Sequence, residues 1–127
     1  MPEKHLYEYA VIRILPAVER EEFLNTGIIL FCKKADYIKV YYTINEAKLS
    51  SFCADIDVEQ IQNNLRSLEK IAIGDSAGGK IAELDICSRF RWLTAVRSSS
   101  IQTSRPHPGL CDNLEQTAKR LFKELVL

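Results

Sequence analysis

The chain is short of nearly everything that announces a specialised protein. It has no net charge, because 17 Lys and Arg balance 17 Asp and Glu. Dedicated nucleic-acid-binding domains are usually basic overall, so neutrality leaves room for no more than a local patch, and no nucleic-acid partner is expected. No apolar run nears the roughly 18–20 residues of a membrane span. The longest, GIILFC at 27–32, has the length of a strand. The opening MPEKHLYEYA carries charge where a signal peptide has its apolar stretch. A soluble, cytoplasmic protein with no membrane association is the expectation. The four cysteines (Cys32, Cys53, Cys87 and Cys111) form no C-x-x-C pair, and disulfides are not expected in a reducing compartment. His107 and Cys111 are the one close His/Cys pair, too few ligands for zinc. The loop GDSAGG at 74–79 lacks the Lys-Ser/Thr ending of a phosphate-binding loop and reads as a connector. No metal and no cofactor is therefore expected.

What is present is an ordinary globular composition. The 127 residues are 46% hydrophobic and 27% charged, enough for a single domain over 1–127 with its own core. Charge is unevenly spread. The stretch 87–111, CSRFRWLTAVRSSSIQTSRPHPGLC, contains Arg89, Arg91, Arg97 and Arg105 and no acid, whereas the first 86 residues carry an acidic excess. Arginines gathered in a polar, Ser-rich segment call for an anion, which could be a ligand, a partner or the chain's own acidic half.

Periodicity gives the elements. YEYAVIRIL at 7–15 reads as a strand ended by Pro16, with Arg13 pointing opposite to Ile12 and Ile14. LNTGIILFCK at 24–33 and YIKVYYT at 37–43 read as an antiparallel hairpin across KKAD. Thr43-x-x-Glu46 suggests a capping box before a short helix over about 44–53, and Asp57-x-x-Gln60 another before a helix over 58–73, whose Val58, Ile61, Leu65, Leu68 and Ala72 share a face and which Gly74 stops. Residues 80–93 fit a helix loosely, and 98–104 a fourth strand. RPHPGL reads as a loop, because two prolines and a glycine oppose regular structure. Asp112-x-x-Glu115 opens an amphipathic closing helix over 113–126. The expected fold is α+β, a small antiparallel sheet of three to four strands covered on one face by two to three helices.

Two blocks carry a resemblance. YEYAVIRILPAVEREEFLNTGIILF, with Glu19, Arg20, Glu22, Phe23, Asn25 and Gly27, and RFRWLTAVRSSSIQTSRPHPGLCD, with Trp92, Leu93, Thr94, Ala95, Arg97 and Ser98, resemble a bacterial family known as the domain of unknown function number 3037. Val96 stands where the family pattern has proline. The resemblance implies no activity, cofactor or catalytic residue. It does suggest a partner, a HipA-like protein of kinase fold encoded beside some members.

The candidate ligand- or partner-binding residues are Arg97, Ser98, Arg13, Arg20, Asn25, Arg89 and His107. Arg97 followed by hydroxyls suits a phosphate or carboxylate through bidentate hydrogen bonds, and equally suits an internal pair with the Glu19–Glu22 block. Arg13 can lie on a wet face or join the same network. His107 is held stiffly between two prolines and could donate to an anion or act as a base. Three functions are open at this stage. One is a non-enzymatic binding or accessory module with an arginine-lined polar site. Another is a protein that binds a small anion or nucleotide. The third is a metal-dependent hydrolase or nuclease using Glu19, Glu22 and His107. Whether any reaction is catalysed is not decided by the sequence.

Overall fold

The computed structural model describes residues 4–15, 22–52, 57–95 and 100–127. Three long strands come first: β1 (His5–Ile14), β2 (Leu24–Cys32) and β3 (Tyr37–Tyr42). Helices α1 (Glu46–Phe52), α2 (Val58–Ile73) and α3 (Ile86–Leu93) follow, then short strands β4 (Ile101–Thr103) and β5 (His107–Cys111), and finally α4 (Leu114–Leu125). Every pairing is antiparallel, in the order β3-β2-β1, with β4 and β5 both on the far side of β1. The class is α+β as expected, with five strands and four helices among the described residues.

Helices cover both faces of the sheet, not one. Ile12, Ile14, Ile29, Phe31 and Val40 pack with Leu49 of α1, Ile61, Leu65 and Ala72 of α2, and Phe90 and Leu93 of α3. Tyr7, Ile28, Leu30 and Cys32 pack on the opposite face with Leu114, Ala118 and Leu121 of α4. The reason lies in β2. Its residues alternate between faces, yet Ile28 through Cys32 are all apolar and all buried, so both faces need cover.

The stretch expected to be a loop at 105–110 is largely strand β5. Leu15 N–H donates to Ser100 O and Ser104 N–H to Val11 O, so the odd residues of β1 turn their main chain toward β4 and β5. Tyr9, Tyr7 and His5 face His107, Gly109 and Cys111. The intervening Pro108 then has its missing N–H on the outer edge, where no ladder bond is lost. Gly109 is needed because a side chain there would run into the Tyr7 ring. Between the two short strands, buried Ser104 keeps the ladder whole by accepting from Val11 N–H with its hydroxyl at 2.8 Å.

The helix expected over 80–93 is broken. Two 3-10 turns, Ser76–Gly78 and Lys80–Glu83, precede α3, which begins after Asp85. Helix α2 is as expected: Asp57 caps it by accepting from Gln60 N–H, and Gly74 ends it at a left-handed φ of 76°. The cap of α4 is Asn113 rather than Asp112, its side chain accepting from Gln116 N–H. Glu115 in the first turn of α4 ties the helix to β3, accepting from the Tyr37 hydroxyl at 2.9 Å and from the Tyr41 hydroxyl.

Candidate functional site

Of the candidate residues, Arg97, Ser98 and Arg20, with Glu19, lie outside the described residues. Arg13 and Asn25 are brought together. They are register partners of β1 and β2 beside a bulge at Thr26, on the face that α4 covers. The Arg13 guanidinium lies 4.2 Å above the Phe23 ring, a cation–π contact. Asn25 donates from Nδ2 to Leu125 O at 3.0 Å, near the carboxyl end of α4. Arg13 Nε and Asn25 Oδ1 are buried with no hydrogen-bond partner among the described residues.

Arg89 and His107 lie elsewhere. Arg89 stands against Gly74 so closely that a side chain at Gly74 would run into its Nη1. Its guanidinium thus sits at the carboxyl end of α2, where a cation is favoured by the helix dipole. Its neighbour Asp85 has a carboxyl held below the usual range, first by a hydrogen bond from the Ser88 hydroxyl and lastly by the Arg89 charge. His107 is exposed at the start of β5, its ring 5.3 Å from that of its register partner Tyr9. Glu22 precedes Leu24, the partner of Ile14, while His107 faces Tyr9. Five residues of strand, roughly 16 Å, separate those two positions on β1, so Glu22 and His107 do not converge. No group of three His, Cys, Asp or Glu with metal-binding geometry occurs among the described residues.

The concave feature that the sequence did not announce is a groove of about 510 Å³ on the α3 side of the sheet. It exists because α3 packs toward β3 and the centre of the sheet and stops short of the lower halves of β1 and β5. Its floor is Leu6 and Glu8 of β1, Phe31 of β2, Pro106 and Pro108; its wall is Cys87, Phe90, Arg91 and Thr94, and Lys33 stands at its end. Phe31 and Phe90 stack at 4.6 Å beneath it. At the lip, Leu6 and Leu110 are direct register partners and are 64% and 63% exposed. Lys4 and Lys34 border the shallower hollow on the other side of Leu6. Leu6 and Leu110 are single exposed leucines on two strands about a hundred residues apart, a pairing that leaves no stripe or motif in the sequence.

A second hollow of about 320 Å³ lies between α2, α3 and β4, lined by Leu68, Ile71, Trp92 and Ile101 among others. Thr103 borders it and carries a buried Oγ1 with no hydrogen-bond partner among the described residues. On the α4 face, burial and then the hydrogen bond to Glu115 push the Tyr41 hydroxyl up to about 12, and Tyr37 is raised further by the same two causes. Glu115 is lowered in return, by Tyr41 first and Tyr37 second. These three groups form a clasp between α4 and β3.

A family model described as a protein of unknown function, DUF3037, matches residues 9–126, nearly the whole chain. No curated protein and no solved structure matches.

Proposed function

The chain belongs to the DUF3037 family, and we propose that within it this protein is a non-enzymatic binding or accessory module that docks a protein partner in the groove between α3 and the β1–β5 floor. The observation that carries this reading is the Leu6–Leu110 pair, two large apolar side chains opposite each other and nearly two-thirds exposed at the mouth of a concave apolar site. Isolated exposed leucines need no explanation, but a paired set continuous with a groove is the pattern of an interaction surface. Covering both would contribute roughly 2–4 kcal/mol, taking about 1.5–3 kcal/mol for each fully buried leucine and scaling to the exposed fraction. Arg91 supplies the arginine character of the site from the acid-free stretch, with Lys33 beside it. The partner we propose is the HipA-like, kinase-fold protein that the family resemblance suggests.

Co-expression and co-purification of the two proteins, followed by calorimetric titration, tests the reading. Leu110→Asp should abolish the complex and leave the melting temperature nearly unchanged, because the residue is a surface one. A complex unaffected by Leu110→Asp and by Leu6→Asp would remove the groove from the account.

A second reading, binding of a small anion or nucleotide, is favoured by one observation: Arg13 Nε and the neighbouring Asn25 Oδ1 are both buried with no hydrogen-bond partner among the described residues. A phosphate ester or nucleotide bound there should raise the melting temperature of the wild type and not that of Arg13→Lys. The lysine variant keeps the charge but loses the planar donor.

A further inference from the structure

We infer that the occupant of the groove is an acidic amphipathic helix of another protein, laid beside α3 across β1 and β5. This rests on the docking reading above and adds to it the conformation and charge of what is bound.

The shape of the uncovered surface selects a helix. Two strands spaced about 4.8 Å apart make a floor about one helix wide, since a helix with its side chains is roughly 10 Å across. On the opposite face, α4 already shows this sheet covered by one long helix. An added strand has a poorer seat. The outer edge of β5 would have to pair with it, and Pro106 and Pro108 offer no N–H there. The occupant therefore approaches over the face, where exposed Leu6 and Leu110, beside the nearly buried Phe31–Phe90 stack, offer an apolar seat for residues repeating at i, i+3, i+4 and i+7.

Charge fixes the flanks. Lys33 and Arg91 line the groove, and Lys4 and Lys34 continue the positive rim around Leu6. Glu8 is the one carboxylate among the described lining residues. A helix flanked by glutamates is steered in and held in register by these cations, whereas a basic one is repelled. A second copy of this chain does not supply that complement. The apolar faces of α2 and α4 are already buried on the sheet. Among the described residues, the large exposed apolar ones outside the groove are Phe23, Ile73, Leu84, Trp92 and Leu127, and no two of them share a helix.

The test uses the whole protein, labelled with 15N, and two synthetic helical peptides of equal length. Both present leucines on one face; one carries glutamates on the flanks and the other lysines. The acidic peptide should shift the amide signals of Leu6, Cys87, Arg91 and Leu110, and its affinity should fall as salt is raised. The lysine peptide should bind at least tenfold more weakly, and the K33E/R91E double variant should reverse that order. Equal binding of both peptides, tighter binding of the basic one, shifts confined to other surfaces, or no binding of either would overturn the inference. Groove signals that move with protein concentration alone, without peptide, would overturn it in favour of a second copy. If Leu110→Asp abolishes the complex with the kinase-fold partner while the acidic peptide does not bind, the inference fails and the docking reading stands. If Leu110→Asp leaves that complex intact, the docking reading itself fails.

Discussion

Removing one hydroxyl from each of two adjacent residues should have opposite consequences. Ser104 and Thr103 are neighbours at the end of β4, and both hydroxyls are buried. The Ser104 hydroxyl is the acceptor for Val11 N–H at 2.8 Å, at the one place where the edge of the sheet changes from β4 to β5. Among the described residues Ser104 Oγ is the acceptor given to that N–H, so Ser104→Ala leaves a buried main-chain donor unsatisfied in the middle of β1. The cost is the desolvation penalty of the stranded group, about 1–3 kcal/mol, rather than the smaller net worth of an ordinary hydrogen bond. For a chain of this size each kcal/mol corresponds to roughly 3–5 °C in melting temperature, so a fall of about 3–15 °C is expected. Thr103 Oγ1 has no hydrogen-bond partner among the described residues. Thr103→Val removes a polar atom that is buried without compensation and keeps the shape, so its effect should lie within about 0.5 kcal/mol of zero or be stabilising. Urea unfolding of both variants, with the slope checked for constancy, gives the two numbers. Amide exchange at Val11 should quicken in Ser104→Ala alone. A loss below about 0.5 kcal/mol in Ser104→Ala, or an equal loss in Thr103→Val, would refute the reasoning that satisfaction of the Val11 donor decides stability here.

Other perturbations address the remaining elements. Gly74→Ala should destabilise by about 1–2 kcal/mol from its left-handed backbone alone, and more in the wild type than in an Arg89→Ala background, because Arg89 occupies the space that the new methyl needs; urea unfolding of the four-member cycle measures the difference. Asn113→Ala removes the cap of α4 and should cost about 1 kcal/mol in the same assay. The clasp at Glu115 makes stability pH-dependent at both ends. Glu115 is lowered in the folded protein, so its contribution is complete above the ordinary carboxylate range and is lost as pH falls through the folded value. Melting temperatures of wild type and Glu115→Gln should therefore differ at neutral pH and converge in acid. Tyr41 is raised, so its contribution is complete below about 10 and is lost as pH climbs through its folded value of about 12. Absorbance titration of phenolate should show Tyr41 ionising late, and earlier in Glu115→Gln.

The firmest parts of the fold were readable because a single local signal determined each of them. Asp57 and Gly74 bracket α2 by cap chemistry, and the β2–β3 hairpin follows from two β-rich runs around a short turn. Features that depend on distant partners were not readable. Pro108 and Gly109 argue for a loop until Tyr7 lies over Gly109 and the outer edge accepts the proline. Cover on both faces follows from the unbroken apolar run of β2, but a short run of that kind does not say which distant helices supply the cover. The site divides the same way. The direction of Arg13, opposite to Ile12 and Ile14, follows from strand alternation, and its register with Asn25 places the two together. Arg89 looked like one member of a cationic cluster, but its position is set by α2, an element that the sequence separates from it by a loop and two turns. The groove is defined by where α3 stops, and no residue pattern encodes that.

Strand β1 gains its second neighbour only from the far end of the sequence, His5 lying opposite Cys111 about a hundred residues later. During synthesis β1 leaves the ribosome with β2 and β3 soon behind it, and one of its edges stays bare until β4 and β5 emerge. Contacts of such long sequence separation slow folding into the millisecond-to-second range and prolong the exposure of apolar intermediates. The three-stranded half-sheet is thus the species that a holdase chaperone or a misdirected strand would meet, and the nascent chain stays vulnerable until β4 and β5 have been made.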